Sequence, residues 1–309
     1  VVGAAAADAR GRDAMTRGWL VTGADGMLGR EVVARLTARR TPLLAAGHAQ
    51  LDIADRDDVQ DALDRYRPAA VVNCAAWTDV DGAETHEREA LAVNGHGPAR
   101  LAEGCRGRGT VLLHVSTDYV FPGDGARPYT ETDAPGPRTA YGRTKLAGEQ
   151  AVLASLPGTG HVVRTAWLYG AGGRNFVRTM IRLEDTRVEL QVVDDQRGQP
   201  TWTGDVADRL IALGSSALAG EAPPGVYHAT AGGEATWNQL AREVFRLLGA
   251  DPRRVRPCRT TGLARPAYSV LGHARWAVAG LPPPRHWRQA LADAFPSLLA
   301  VERSARQAS

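Results

Sequence analysis

The 309 residues carry 44% hydrophobic and 23% charged side chains and a formal net charge of +3, enough to bury a full core in one large α/β domain or two smaller ones. No apolar run approaches the roughly 18 residues of a membrane-spanning helix, so no membrane partner is expected. Three scattered cysteines, Cys74, Cys105 and Cys258, form no Cys-x-x-Cys pair; this excludes a disulfide framework and a thiolate zinc site and fits a reduced cytoplasm.

Residues 1–18 show no sustained period and read as a disordered tail, and Val1–Ala9 lacks the basic leader of a signal peptide. From Trp19 onward short apolar runs alternate with amphipathic stretches. Strands are expected at Trp19–Thr22, Leu43–Ala46, Ala70–Cys74, Val111–Ser116, His161–Thr165 and Glu189–Val193. Helices are expected between them at Met27–Ala38, Arg56–Tyr66, Glu87–Arg106, Ala140–Ser155 and Asn175–Asp185. Such alternation implies parallel pairing through crossovers, hence a doubly wound α/β sheet covered on both faces. Beyond Pro200 the rhythm changes to a helix at Thr203–Leu218, a strand at Val226–Ala229, a helix at Thr236–Leu248, an Arg/Pro-rich stretch and a last helix near Trp287–Leu298. Residues 19–170 and 189–225 are read as a dinucleotide-binding domain, and 171–188 with 226–309 as a smaller C-terminal substrate-binding domain.

The first strand runs into Thr22-Gly23-Ala24-Asp25-Gly26-Met27-Leu28-Gly29. Glycines allow a tight turn and close approach of a diphosphate, while the helix N-terminus offers free N–H groups. Gly23, Gly26, Met27, Leu28 and Gly29 are therefore cofactor-binding candidates. The second strand ends in Gly47-His48 without the acid that usually holds the adenosine ribose; Asp52, with Ile53 beside it, falls nearer the adenine edge. With Arg39, Arg40 and His48 nearby and no acid to repel a 2′-phosphate, NADPH is the expected cofactor, with NADH also accommodated. An aspartate at position 47 should then shift preference towards NADH.

Of 37 basic residues, 36 are arginine and one, Lys145, is lysine. Lys145 lies four residues after Tyr141, on one face of the helix expected there. An ammonium can pull a phenol from near pKa 10 towards the working range of an acid–base catalyst. Thr117 closes the fourth strand, at the carboxyl edge where ligands bind in open α/β sheets. Taken singly these are a strand-end hydroxyl, a packed ring and a solvated charge; together behind a nucleotide loop they point to catalysis.

The glycine turn, the Thr117 strand end and Tyr141-Gly142-Arg143-Thr144-Lys145 together resemble the extended short-chain dehydrogenase/reductase family. The resemblance runs from about Trp19 to Pro296 and is narrowed by Val71-Val72-Asn73-Cys74-Ala75-Ala76-Trp77, Arg164-Thr165-Ala166-Trp167, Asp194-Asp195-Gln196-Arg197-Gly198-Gln199-Pro200-Thr201 and Arg265-Pro266-Ala267-Tyr268-Ser269. It implies a Rossmann-like fold and an NADPH-dependent reductase of a dTDP-4-keto-6-deoxysugar bound between the two domains. Tyr141 would donate a proton to O4, Thr117 would hydrogen-bond that oxygen, and Lys145 would hold the nicotinamide ribose. Ala75 and Ala76 would line the cofactor site, and Asp118, Trp167 and Asn175 the sugar pocket. Asn94 would support the lysine through water. Trp167 alone reads equally as a core aromatic.

Some family members hold magnesium between subunits, and Glu31 falls where one ligand could sit; no others can be placed, so no metal is expected. His114, inside a strand, reads as a satisfied core residue. Residues 251–288 hold eight arginines against one acid. A sugar nucleotide accounts for such a charge without nucleic acid, and Arg265 is the candidate for its diphosphate, against a solvated arginine. A homodimer is compatible with any of the amphipathic helices. A non-catalytic regulatory subunit of the same fold is the rival class, disfavoured by the intact Thr117, Tyr141 and Lys145.

Overall fold

A computed structural model describes residues 17–262 and 265–307; the expected tail otherwise lies outside the described residues. Arg17 and Gly18, counted into that tail, are instead tied down: Arg17 Nε donates to Arg67 O at 2.8 Å, and Ala69 N donates to Gly18 O at 2.9 Å.

Strands β1 (Trp19–Thr22), β2 (Leu43–Ala46), β3 (Ala70–Asn73), β4 (Val111–Thr117) and β5 (Gly160–Thr165) are followed by short β6 (Leu168–Tyr169), β7 (Leu190–Val193), β8 (Arg197–Gly198), β9 (Thr201–Trp202), then β10 (Gly225–His228), β11 (Ala235–Thr236) and β12 (Val255–Cys258). Six of them form one parallel sheet in the order β10-β5-β4-β3-β1-β2. β1, β3 and β5 are buried along their whole length, as strands covered on both faces must be. Helices Met27–Ala38 and Thr203–Leu218 close one face around Val32, Leu36, Leu210 and Leu213. Helices Arg56–Tyr66, Gly97–Cys105 and Ala140–Ser155 close the other around Val59, Leu63, Leu101 and Val152. A separate core gathers Val177, Ile181, Leu240, Phe245, Trp287 and Leu291 from helices Phe176–Thr186, Trp237–Leu247 and Trp287–Gln307.

Two expectations are corrected. The strand expected at Glu189–Val193 does not join the main sheet: β7 pairs parallel with β12, and Val192 packs in the C-terminal core. The sixth place is taken by β10, aligned Gly225 to His161, so residues 225–228, largely assigned to the substrate domain, belong to the sheet. The helix Thr203–Leu218 supplies the crossover that brings the chain back; a four-residue apolar strand does not itself encode which sheet it joins. The helix expected at Glu87–Arg106 runs without a gap from Glu87–Leu91 through a π-helical turn at Ala92–His96 into Gly97–Cys105, with a short helix at Val80–Thr85 ahead of it. Gly95, Gly97 and Pro98 weaken the regular ladder there, and Asn94 exploits the wide turn.

Candidate active site

The carboxyl edge of the sheet opens into a cleft of about 960 Å³. Its floor is the glycine turn. Gly23 has φ +64°, and a side chain there would meet Ala75 N at 2.5 Å, so only glycine lets the turn lie on the β3 loop. Gly26 caps the following helix without a side-chain bond, leaving its first N–H groups facing the cleft. This cradle of bare backbone and small side chains suits a dinucleotide diphosphate. Gly23, Gly26, Met27, Leu28, Gly29, Asp52, Ile53, Ala75 and Ala76 all line the cleft as expected.

Tyr141 and Lys145 enter from the helix Ala140–Ser155. Thr139 caps it by accepting from Gly142 N at 3.1 Å. Two glycines let this helix approach the sheet: side chains at Gly142 and Gly148 would overlap the carbonyls of Tyr119 and Asn94. Asn94 clamps the helix to the β3 loop. Its Oδ1 accepts from Trp77 N at 2.9 Å, and its Nδ2 donates to Trp77 O at 3.0 Å and Thr144 Oγ1 at 3.2 Å. That carboxamide thus reaches Thr144, the neighbour of Lys145.

Lys145 is 2% exposed and its Nζ donates to Val115 O at 2.7 Å. Burial lowers its pKa from 10.5 to about 8, with Glu149 and Cys74 pulling the other way. Burial likewise pushes the Tyr141 phenol up, opposed chiefly by the Thr117 hydroxyl. The ammonium was expected to pull that phenol down; it is turned instead to a strand carbonyl, and desolvation wins. A phenol held protonated at neutral pH is a proton donor, the form a reduction needs.

Thr117 Oγ1 donates to Asp118 Oδ1 at 3.1 Å and accepts from Tyr119 N at 3.2 Å. Asp118 is 3% exposed, its Oδ2 is buried without a hydrogen-bond partner among the described residues, and burial raises its pKa to about 6 against hydrogen bonds from Ser269 and Thr117. Trp167 also lines the cleft. It sits at φ +47°, a strained conformation for a bulky residue, and stacks on Trp237 with centroids 3.6 Å apart and planes 6° apart. Gly198 lies under its indole, where a side chain would meet Cε2 at 2.5 Å. The stack extends to Gln196, whose Oε1 accepts from Trp237 Nε1 at 3.1 Å.

Two expected ligands are not on the cleft wall. The Asn175 carboxamide caps the helix Phe176–Thr186, accepting from Arg178 N at 3.1 Å and donating to Gly170 O at 2.7 Å. Arg265 is held by Asp81 at 2.6 Å. The basic stretch around it is likewise neutralised from elsewhere: Arg254 pairs with Glu184, Arg256 with Glu189, Arg285 with Asp205 and Arg288 with Glu243. His114 is only half satisfied. Asn73 Oδ1 accepts from Thr22 Oγ1 and Ala75 N, so its Nδ2 donates to His114 Nδ1 at 3.0 Å, leaving Nε2 unpartnered. Glu31 pairs with Arg35, and among the described residues no group of three or more His, Cys, Asp or Glu could hold a metal. Arg174, Trp237 and Asp25 line the cleft but were missed. Arg174 and Trp237 come from a loop and another core, with no local pattern to mark them, whereas Asp25 sits inside the glycine turn, between the residues singled out there.

Residues 17–299 match the family model described as the RmlD substrate binding domain. The chain belongs to that family. It is 62% identical over 284 residues, 91% of this chain and 93% of the relative, to the dTDP-4-dehydrorhamnose reductase of Streptomyces griseus. It is 54% identical over 292 residues, 93% of this chain and all of the relative, to the dTDP-4-keto-6-deoxy-D-glucose reductase of Streptomyces niveus. The solved dTDP-4-dehydrorhamnose reductase of Bacillus anthracis, in complex with NADP, superposes with a TM-score of 0.85 at 34% identity, covering 91% of this chain and 99% of that one. This family membership makes the chain an oxidoreductase and disfavours the regulatory-subunit reading.

Proposed function

We propose that the chain reduces the C4 ketone of dTDP-4-dehydro-β-L-rhamnose to give dTDP-L-rhamnose, with NADPH as reductant. The observation that carries this is the meeting, in one cleft, of the glycine cradle with Thr117, Asp118, Tyr141 and Lys145. NADPH, when bound, supplies the hydride to C4. Negative charge then builds on O4, where Thr117, turning its hydroxyl proton away from Asp118, donates a hydrogen bond and Tyr141 delivers the proton. Lys145 holds the nicotinamide ribose. Asp118, with one oxygen unsatisfied, accepts from a sugar hydroxyl, and the Trp167–Trp237 stack supports a sugar face. The substrate lies between the sheet and the C-terminal core, and the enzyme works in the cytoplasm.

The test is NADPH consumption with enzymatically prepared dTDP-4-dehydro-L-rhamnose, followed by NMR of the product sugar. Turnover giving dTDP-L-rhamnose is expected; no consumption with any dTDP-4-keto-6-deoxysugar would refute the reading. The similarity to the Streptomyces niveus enzyme favours a second substrate, dTDP-4-keto-6-deoxy-D-glucose, and assaying each ketosugar separately, with the C3 and C5 configuration of the product read by NMR, separates the two.

A further inference from the structure

We infer that Asp25, in the glycine turn, is the residue that reads the adenosine ribose and sets the balance between NADH and NADPH; the inference rests on the dinucleotide reading above. In dinucleotide folds an acid at the end of the second strand takes the ribose hydroxyls. Here β2 ends at Ala46 and is followed by Gly47, which has no side chain. The space is nevertheless filled. A side chain at Gly47 would overlap Asp25 Oδ2 and lie 2.7 Å from Asp25 Cγ. The carboxylate thus occupies the volume that a strand-end acid would use, reached from the neighbouring loop.

Both sides of that contact are fixed. Ala24 N donates to Ala46 O at 3.1 Å, tying the glycine turn to the strand end. Gly47 N donates to Gln50 Oε1 at 3.1 Å, and Leu51 N to Gly47 O at 3.0 Å, closing the loop around the glycine.

The charge at this end of the cleft is acidic. Asp25, His48, Leu51, Asp52 and Ile53 line it, with His48 Nδ1 3.9 Å from Asp52 Oδ1. The two guanidiniums expected to welcome a 2′-phosphate, Arg39 and Arg40, precede β2 and so stand at its amino end, away from the cleft, with Arg39 paired to Asp208 at 2.8 Å. Arg30 donates to the Asp25 backbone carbonyl at 2.7 Å, and its stem lies near Gly172, on the other side of the turn. The cations that do line the cleft are Lys145, on the helix Ala140–Ser155, and Arg174, next to Gly173 in a loop. A ribose 2′-hydroxyl can donate to the Asp25 carboxylate, whereas a 2′-phosphate brings like charge against it. Asp25 therefore weakens NADPH binding relative to a chain without that carboxylate and lets NADH compete, while NADPH stays usable as the reductant, and an aspartate introduced at Gly47 would collide with a carboxylate already in place.

The experiment titrates NADH and NADPH separately into the wild-type chain, Asp25→Asn and Asp25→Ser without sugar, following nicotinamide fluorescence. The affinity ratio should move towards NADPH by about tenfold in both variants, the scale of one nearby charge on an exposed dianion. Raising ionic strength from about 0.05 to about 0.5 M should narrow the wild-type difference and leave the variants less affected. If both dinucleotides bind and neither variant moves the ratio, the inference falls while the proposed function stands. If the wild-type chain binds neither dinucleotide, both fall together.

Discussion

Replacing Lys145 with Met should abolish turnover without destabilising the fold. Lys145 is 2% exposed, and burial takes its pKa from 10.5 to about 8. At about 1.4 kcal/mol per pH unit, keeping that ammonium charged at pH 7 costs the folded state about 3 kcal/mol. Methionine nearly matches the stem's volume and removes the charge, but leaves Val115 O without its donor, a loss of roughly 1–3 kcal/mol. The sum places Lys145→Met between unchanged and about 2 kcal/mol more stable at pH 7. The sign follows from the protons bound: between pH 8 and 10.5 the unfolded chain holds the lysine proton and the folded chain has released it, so wild-type stability rises relative to Lys145→Met across that window. Urea midpoints of both proteins at pH 7 and at several points up to about pH 10.5 measure this, alongside kcat for ketosugar reduction. A variant that keeps its activity, or whose midpoint at pH 7 drops by the equivalent of about 2 kcal/mol or more, would refute the reasoning.

Tyr141→Phe keeps the ring and removes the proton, so kcat should fall by roughly 10²–10⁴-fold with dinucleotide affinity unchanged in a fluorescence titration. Gly198→Ala pushes a methyl against the Trp167 indole, 2.5 Å from Cε2, while Trp237 blocks its retreat. The sugar KM should rise and tryptophan emission shift, with the dinucleotide Kd constant; an unmoved KM would remove the stack from the sugar site. Asp118 is raised from 3.8 to about 6, so the folded state favours its neutral acid, and stability should decline as pH rises through about 4 to 6. Asp118→Asn should flatten that slope in thermal melts and stand above wild type at pH 7; a slope that survives the substitution would assign it to other groups.

The local syntax of the sheet was legible in the residues. Apolar runs bounded by helical periods located β1 to β5, because β1, β3, β4 and β5 are covered on both faces and each crossover helix needs a full amphipathic stretch. The glycine turn and the sole lysine four residues after a tyrosine were legible because backbone approach and shared helical faces are written into short spacings. Tertiary structure alone decided which sheet β7 and β10 would join, since four apolar residues pair with whatever edge the chain's return brings to them. It also settled which arginines are free. Arg254, Arg265 and Arg285 look alike in the chain, yet carboxylates distant in sequence claim each of them. Direction was equally hidden: burial drives the Tyr141 phenol up, and what opposes it is chiefly the Thr117 hydroxyl. The acid absent after β2 is supplied from the adjoining glycine turn, because a position without a side chain can be filled by a neighbour across space.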